Sequence, residues 1–302
     1  MSDSRLIGAL GLLSLIWGSS WMAFSELDGH CPPMRAAAIR YGAAAALLLL
    51  VALVRRTPMP QGRPLKAMLA LGCTLLAAPY ILLSIAGRVV PAGTTAILFA
   101  LAPAALVLVA SAGRGAFSSR RALYVSLAGF SAVALAMSGA ISLSHVVELV
   151  MVAAAVTSVA WSIAFAKREL QGANLLAASA IQLAAASLVL GALSLVREHG
   201  VPSLWTAGSI AALGLLSVVG SAFALPLLYW LLRESEPHQV STVEWLQAFV
   251  PVVEGAILLH QALPASFYIG ATGVVACTTF LLLETADQDG DLSLLAARRI
   301  DS

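Results

Sequence analysis

Apolar runs of about membrane thickness follow one another along almost the whole chain, separated by brief polar clusters. A helix needs about 20 mostly apolar residues to cross the hydrocarbon core of a bilayer. Broken at charges, prolines and polar clusters, the pattern predicts ten such spans, near residues 6–27, 33–54, 65–87, 91–111, 121–141, 145–166, 173–196, 205–231, 237–260 and 264–284. The connections are short. Only the polar segment 285–302, "TADQDGDLSLLAARRIDS", lies outside the pattern. The first run reads as a retained helix rather than a cleaved leader, because Trp17 and Trp21 stand where a cleavage site would require small residues.

Composition agrees with this pattern. The chain has 302 residues, 60% hydrophobic and 11% charged. Soluble domains average about 45–50% apolar and about 25% charged, so the surplus must face lipid. A net charge of +2 gives no footprint for nucleic acid. The placement of the basic residues is more informative. With the N-terminus in the cytoplasm, thirteen Lys and Arg fall at inner span ends, among them Arg5, Arg55, Arg56, Arg114, Lys167 and Arg233. Three fall at outer ends: Arg35, Arg88 and Arg197. That bias predicts both termini inside, in the cell inner (plasma) membrane. The cysteines, Cys31, Cys73 and Cys277, form no disulfide framework and read as small apolar filler.

The two halves of the chain echo each other. "IWGSSWMAFSEL" from Ile16 has a counterpart in "AWSIAFAKREL" from Ala160, which places Trp17 on Trp161 at an offset of 144. "ALYVSLAGF" from Ala122 matches "SFYIGATGV" from Ser266 at the same offset, and Pro103 meets Pro251 at 148. A repeat of five spans is odd, so its second copy enters the membrane from the opposite side. Inverted repeats of this kind build transporters that hold substrate near the midplane and expose it to either face in turn. The expected fold is therefore an all-α polytopic membrane protein of ten transmembrane helices. Its first five-helix repeat is 1–143, its inverted second repeat 144–284, and its polar cytoplasmic tail 285–302.

"IWGSSW" in the first span, "RAAAIRYGAAAALLL" in the second, and the proline-bearing fourth and ninth spans resemble the EamA branch of the drug/metabolite transporter superfamily. The resemblance covers nearly the whole chain. It implies an exporter of amino acids or other small metabolites. Members of the family often carry a Gly-Glu pair after the fourth and ninth spans. Here those places read "GRGAFS" and "LHQALP", so no acidic residue is carried over.

Polar groups inside the spans are the candidate chemistry, since a charge at the bilayer centre costs about 2.5–3.5 kcal/mol on insertion scales. Arg40 suits either a substrate carboxylate, which its planar fork matches, or a tie between helices. Its counterpart in the repeat is Gln182. Glu244, flanked by Trp245 and Gln247, suits a substrate ammonium, a carried proton or a helix partner. Glu254 reads as an outer gate or a structural acid, with Arg40 its expected partner by depth. Trp17 and Trp21, with Phe24, share one helix face and predict a cavity wall continued by Trp161; bundle filling is the alternative. Gly18, Ser19 and Ser20 predict close approach by a neighbouring helix. Pro103 and Pro251 suit paired bends that assist gating, or simple shape-setting.

Enzyme readings fare poorly. No hydrolase, zinc-protease or nucleotide-binding motif occurs, and the five histidines lack ligand spacing. The reading implies no metal and no cofactor. Its partners are a small-molecule substrate, the lipid bilayer and protons, with no nucleic acid and no obligate protein partner. The expected activity is secondary export of small amphipathic metabolites, foremost apolar or aromatic amino acids, by alternating access. A multidrug or cation exporter is the second reading, and a channel or intramembrane enzyme the third.

Overall fold

The computed structural model describes residues 3–90, 92–112, 120–137, 144–260 and 262–300, and every regular element among them is helical. Arg114 and the predicted repeat boundary at 143 lie outside the described residues. In chain order the helices are α1 (Asp3–Leu27), α2 (Pro33–Val54), α3 (Arg63–Leu71), α4 (Ala78–Ala86), α5 (Ala92–Phe99), α6 (Ala102–Ala112) and α7 (Arg120–Ala136). They continue with α8 (Val146–Glu169), α9 (Leu175–Arg197), α10 (Ala207–Ser217), α11 (Ala224–Glu234), α12 (Pro237–Val240), α13 (Val243–Leu259) and α14 (Ala265–Ile300). Two six-residue π segments, Gly72–Ala77 and Val218–Phe223, join α3 to α4 and α10 to α11.

Seven helical stretches among the described residues are long and apolar enough to cross a membrane. They are Ser4–Leu27, Pro33–Val54, Arg63–Ala86, Val146–Glu169, Leu175–Arg197, Ala207–Glu234 and Ala265–Leu282. The other three predicted spans fall on shorter helices. The fourth breaks between α5 and α6: Pro103 has no amide to give the Phe99 carbonyl four residues back, and the Leu101 amide turns tightly onto the Leu98 carbonyl. The ninth is divided at Ser241–Thr242 between α12 and α13, while Pro251 lies inside a continuous α13. The fifth, α7, has 17 residues. At the other extreme, α14 carries the tenth span on through the polar segment as far as Ile300.

Two apolar cores hold these helices. The first draws Leu10 and Leu13 from α1, Tyr41 and Leu48 from α2, Leu71 from α3, Ile163 from α8, Leu183 from α9 and Tyr229 from α11. The second draws Val133 from α7, Trp245 and Phe249 from α13, and Phe267, Val274 and Leu281 from α14. Each core thus takes helices from both halves of the chain. α2 lies along α9, and α7 along α14; α1 against α13 and α8 against α6 bridge the cores. Small residues set the approaches. A Cβ at Gly18 would run into Val250 of α13, and one at Gly129 into the Trp245 ring. The Gly18 contact is the close approach that "WGSSW" predicts.

Candidate functional site

The site is built on the start of α2 and on the second π segment. α2 opens with Pro32 and Pro33, neither of which has a capping side chain. Its free amides are met from α9: Glu198 accepts from the Met34 amide (2.9 Å), from the Arg35 amide (2.9 Å) and from the Ser194 hydroxyl (2.7 Å). A carboxylate at a helix N-terminus satisfies unpaired donors and complements the helix dipole. Arg35 completes the clamp with bonds to the carbonyls of Val201 (2.7 Å) and Glu198 (2.9 Å). Sequence reasoning missed Glu198. The signal available was a helix start with two prolines and no Ser, Thr, Asp or Asn to cap it.

Five residues into α2 from Arg35, Arg40 is 7% exposed. Its Nε donates to the Ser221 hydroxyl at 2.8 Å and its Nη2 to the Gly220 carbonyl at 3.1 Å. The backbone bears on this carbonyl: the Ala224 amide reaches the carbonyls of Val219 and Ser221 and passes over the Gly220 oxygen between them. π turns recur at functional sites. Rings lie over the guanidinium, Phe24 at 5.1 Å and Tyr41 at 5.2 Å from its centre. Trp21 meets Phe24 edge-on at 6.3 Å, and Tyr80 meets Tyr41 at 6.4 Å. Arg40 has no ion pair among the described residues, and its Nη1 has no hydrogen-bond partner there.

The expected pairing of Arg40 with Glu254 is therefore corrected. Glu254 takes the Ser19 hydroxyl on α1, and its second oxygen is buried without a partner among the described residues. Similar depth did not bring the two charges together because α13 packs against α1, whereas α2 packs against α9 and the second π segment.

The other predicted residues are dispersed. Gln182 is fully buried, accepts from the Tyr229 hydroxyl, and presses its backbone oxygen against Gly72 of the first π segment. Glu244 is buried at the start of α13, and its carboxylate accepts from the Gln247 amide. Trp245 has no exposed surface. It sits in the second core with its Nε1 donating to the Ala100 carbonyl at 2.8 Å, across the break between α5 and α6. Trp17 packs on the first core, while Trp21 and Trp161 are each 44% exposed, Trp161 stacked on Phe165 at 5.0 Å. The four indoles do not form one wall; Trp21 alone joins the aromatic group around Arg40. A cavity of about 870 Å³ between residues 58–64 and 169–176 and Arg233 is lined by none of these residues.

Among the described residues, no group of His, Cys, Asp and Glu is arranged to hold a metal. The arrangement offers a buried guanidinium with one free edge beside aromatic faces, which is binding chemistry.

Comparison with known proteins agrees with transport. A solved crystal structure of a protein superposes with a TM-score of 0.73 over 99% of both chains at 16% identity, a likeness of fold alone. The uncharacterized inner membrane transporter YedA of Escherichia coli K12 is 26% identical over 290 residues, covering 92% of this chain and 90% of YedA, and its counterpart in Escherichia coli O157:H7 matches equally. Residues 6–142 match the model of the EamA-like transporter family. Through these residues the first half of the chain is similar to the EamA-like transporter family, and together with the likeness to YedA this supports a membrane transporter.

Proposed function

We propose that the protein is an inner-membrane secondary transporter that exports small amphipathic metabolites, foremost apolar or aromatic amino acids, by alternating access. The observation that carries this reading is Arg40: a buried cation, held by two bonds, with a free nitrogen and aromatic neighbours. A free guanidinium edge in a low-dielectric setting favours a carboxylate, and the rings of Trp21 and Phe24 favour an apolar side chain. With a single embedded basic residue and none in α13, phosphorylated cargo is a poor match. A quaternary cation, the substrate of the multidrug reading, would meet a like charge at Arg40.

We read the chain as ten spans in two inverted repeats, 1–143 and 144–284, with the tail and both termini cytoplasmic. Three observations support it. The family match ends at residue 142. The π segments stand at equivalent places in the two halves, with Gly220 146 residues after Thr74. Packing partners exchange when the halves are swapped: α1 with α13 corresponds to α8 with α6. Glu244, whose buried carboxylate accepts from the Gln247 amide and from no other group among the described residues, is the group suited to carry a proton.

Uptake into proteoliposomes of a panel of labelled amino acids, with and without a pH gradient, tests the reading. We expect uptake of apolar or aromatic amino acids that the gradient accelerates, and Glu244→Gln removes that acceleration while binding persists. Steady ion current without solute uptake would assign a channel instead. Reporter fusions at Arg56 and near Ser144 give opposite sidedness under the ten-span topology; equal readings contradict it.

A further inference from the structure

Arg40 presents two edges that are chemically distinct. Nε–H and the adjacent Nη2–H form a side-on fork, the geometry that carboxylates most often take. Here that fork is filled by the protein itself, with Ser221 Oγ on Nε at 2.8 Å and the Gly220 carbonyl on Nη2 at 3.1 Å. What remains is the end of the guanidinium: both protons of Nη1 and the outer proton of Nη2. Phe24 and Tyr41 hold their rings near the guanidinium. The residue is 7% exposed, so the group is held within the bundle.

We propose that Ser221 is a positioning and specificity-determining residue for transport. It holds Arg40 side-on against the π turn so that the guanidinium offers only its end to a single substrate carboxylate. This inference rests on the reading of Arg40 as the carboxylate receptor. The Gly220 carbonyl is fixed by the π turn and is present in every side-chain variant. Ser221 Oγ is the part of the clamp that the sequence controls, and it bonds to Nε, the nitrogen nearest the chain and the one that sets the tilt of the plane. Without the hydroxyl the guanidinium keeps one anchor instead of two and swings about it. The substrate carboxylate then meets a cation that is present but not aimed. The expected signature is weaker recognition of the carboxylate with the transport cycle intact.

The test is uptake into proteoliposomes of labelled L-phenylalanine, L-leucine and L-threonine, each competed by the unlabelled acid and by its neutral amide. Wild-type protein prefers the acid. Ser221→Ala raises KM for the acid about tenfold, the scale set by one lost hydrogen bond to a charged group, leaves the maximal rate within about twofold and leaves competition by the amide unchanged. Ser221→Cys, similar in shape but a weak acceptor, gives the same shift, and Ser221→Thr restores the wild-type KM. Unchanged KM and preference in both the Ala and Cys variants overturn the proposal. A collapse of the maximal rate at constant KM also overturns it, because it assigns Ser221 to movement of the π segment. Arg40→Ala separates the two levels. If it abolishes the acid preference while the Ser221 variants keep it, positioning by Ser221 fails and the receptor stands. If no preference exists for any of the three acids, or Arg40→Ala retains it, both fail.

Discussion

The two π segments stand at corresponding places in the halves but have different partners. In the first, the Ala78 amide reaches back to the Cys73 carbonyl and leaves the Thr74 oxygen free; the Ser158 hydroxyl of α8 takes it at 2.6 Å. In the second, the Ala224 amide reaches Val219 and Ser221, and Arg40 of α2 donates to the Gly220 oxygen between them. A hydroxyl satisfies the carbonyl at little desolvation cost, and the Thr74 side chain adds a bond from Ser162 at 2.8 Å, so the first break is a closed neutral cluster. A guanidinium brings more donors than one carbonyl and one serine accept. The difference bears on the proposed binding site: the first π segment is closed by hydroxyls, and the second is left with surplus donors from Arg40.

Substitutions at the two segments sharpen this contrast. The largest effect is expected at Gly72, where a Cβ would stand 2.5 Å from the Gln182 oxygen and 2.8 Å from the Ala185 methyl. Both are held by α9, so Gly72→Ala should cost about 1–3 kcal/mol, the range for overpacking a tight contact. Thermal unfolding in detergent measures it, and an unchanged midpoint would mean that α9 yields there. Ser158→Ala ranks next. It strips the Thr74 carbonyl of its donor and should cost about 1 kcal/mol, without altering any preference between an acid and its amide. A changed preference would make the first segment part of the binding site. Gly220→Ala is the smallest. Its Cβ would stand 3.4 Å from both Arg40 Nη2 and Ser20 Oγ, which is ordinary contact. Exchanging glycine for alanine in a helix interior gains roughly 0.5–1 kcal/mol, so the midpoint should hold or rise slightly. A fall larger than that at Gly72 would invert the comparison.

Much of the architecture is legible in the sequence because lipid demands it. The long apolar runs became helices, "WGSSW" gave α1 its close approach to α13, and Arg40 stood out as a charge that no span should carry without reason. The π segments were not legible: one extra residue in a turn leaves an all-apolar run all-apolar. Pairings also escaped. Depth along a span follows from counting residues, but the direction a side chain faces depends on which helices pack together, so Glu254 met Ser19 and not Arg40. For the same reason Trp245 and Trp17 went to different cores. The clamp on α2 was hidden because its acceptor, Glu198, lies 164 residues after the Met34 amide it holds.

The central claim is that a charge buried in α2 is there to meet a carboxylate. The most direct measurement is competition of labelled L-phenylalanine uptake by L-phenylalanine and by L-phenylalaninamide, in wild-type and Arg40→Ala proteoliposomes at matched reconstitution and confirmed folding. The account predicts that wild-type protein favours the acid over the amide by about tenfold or more, as a charge-assisted hydrogen bond provides, and that Arg40→Ala treats the two alike. Equal loss of transport for acid and amide in a folded variant would contradict it, and would make Arg40 a tie between α2 and the second π segment.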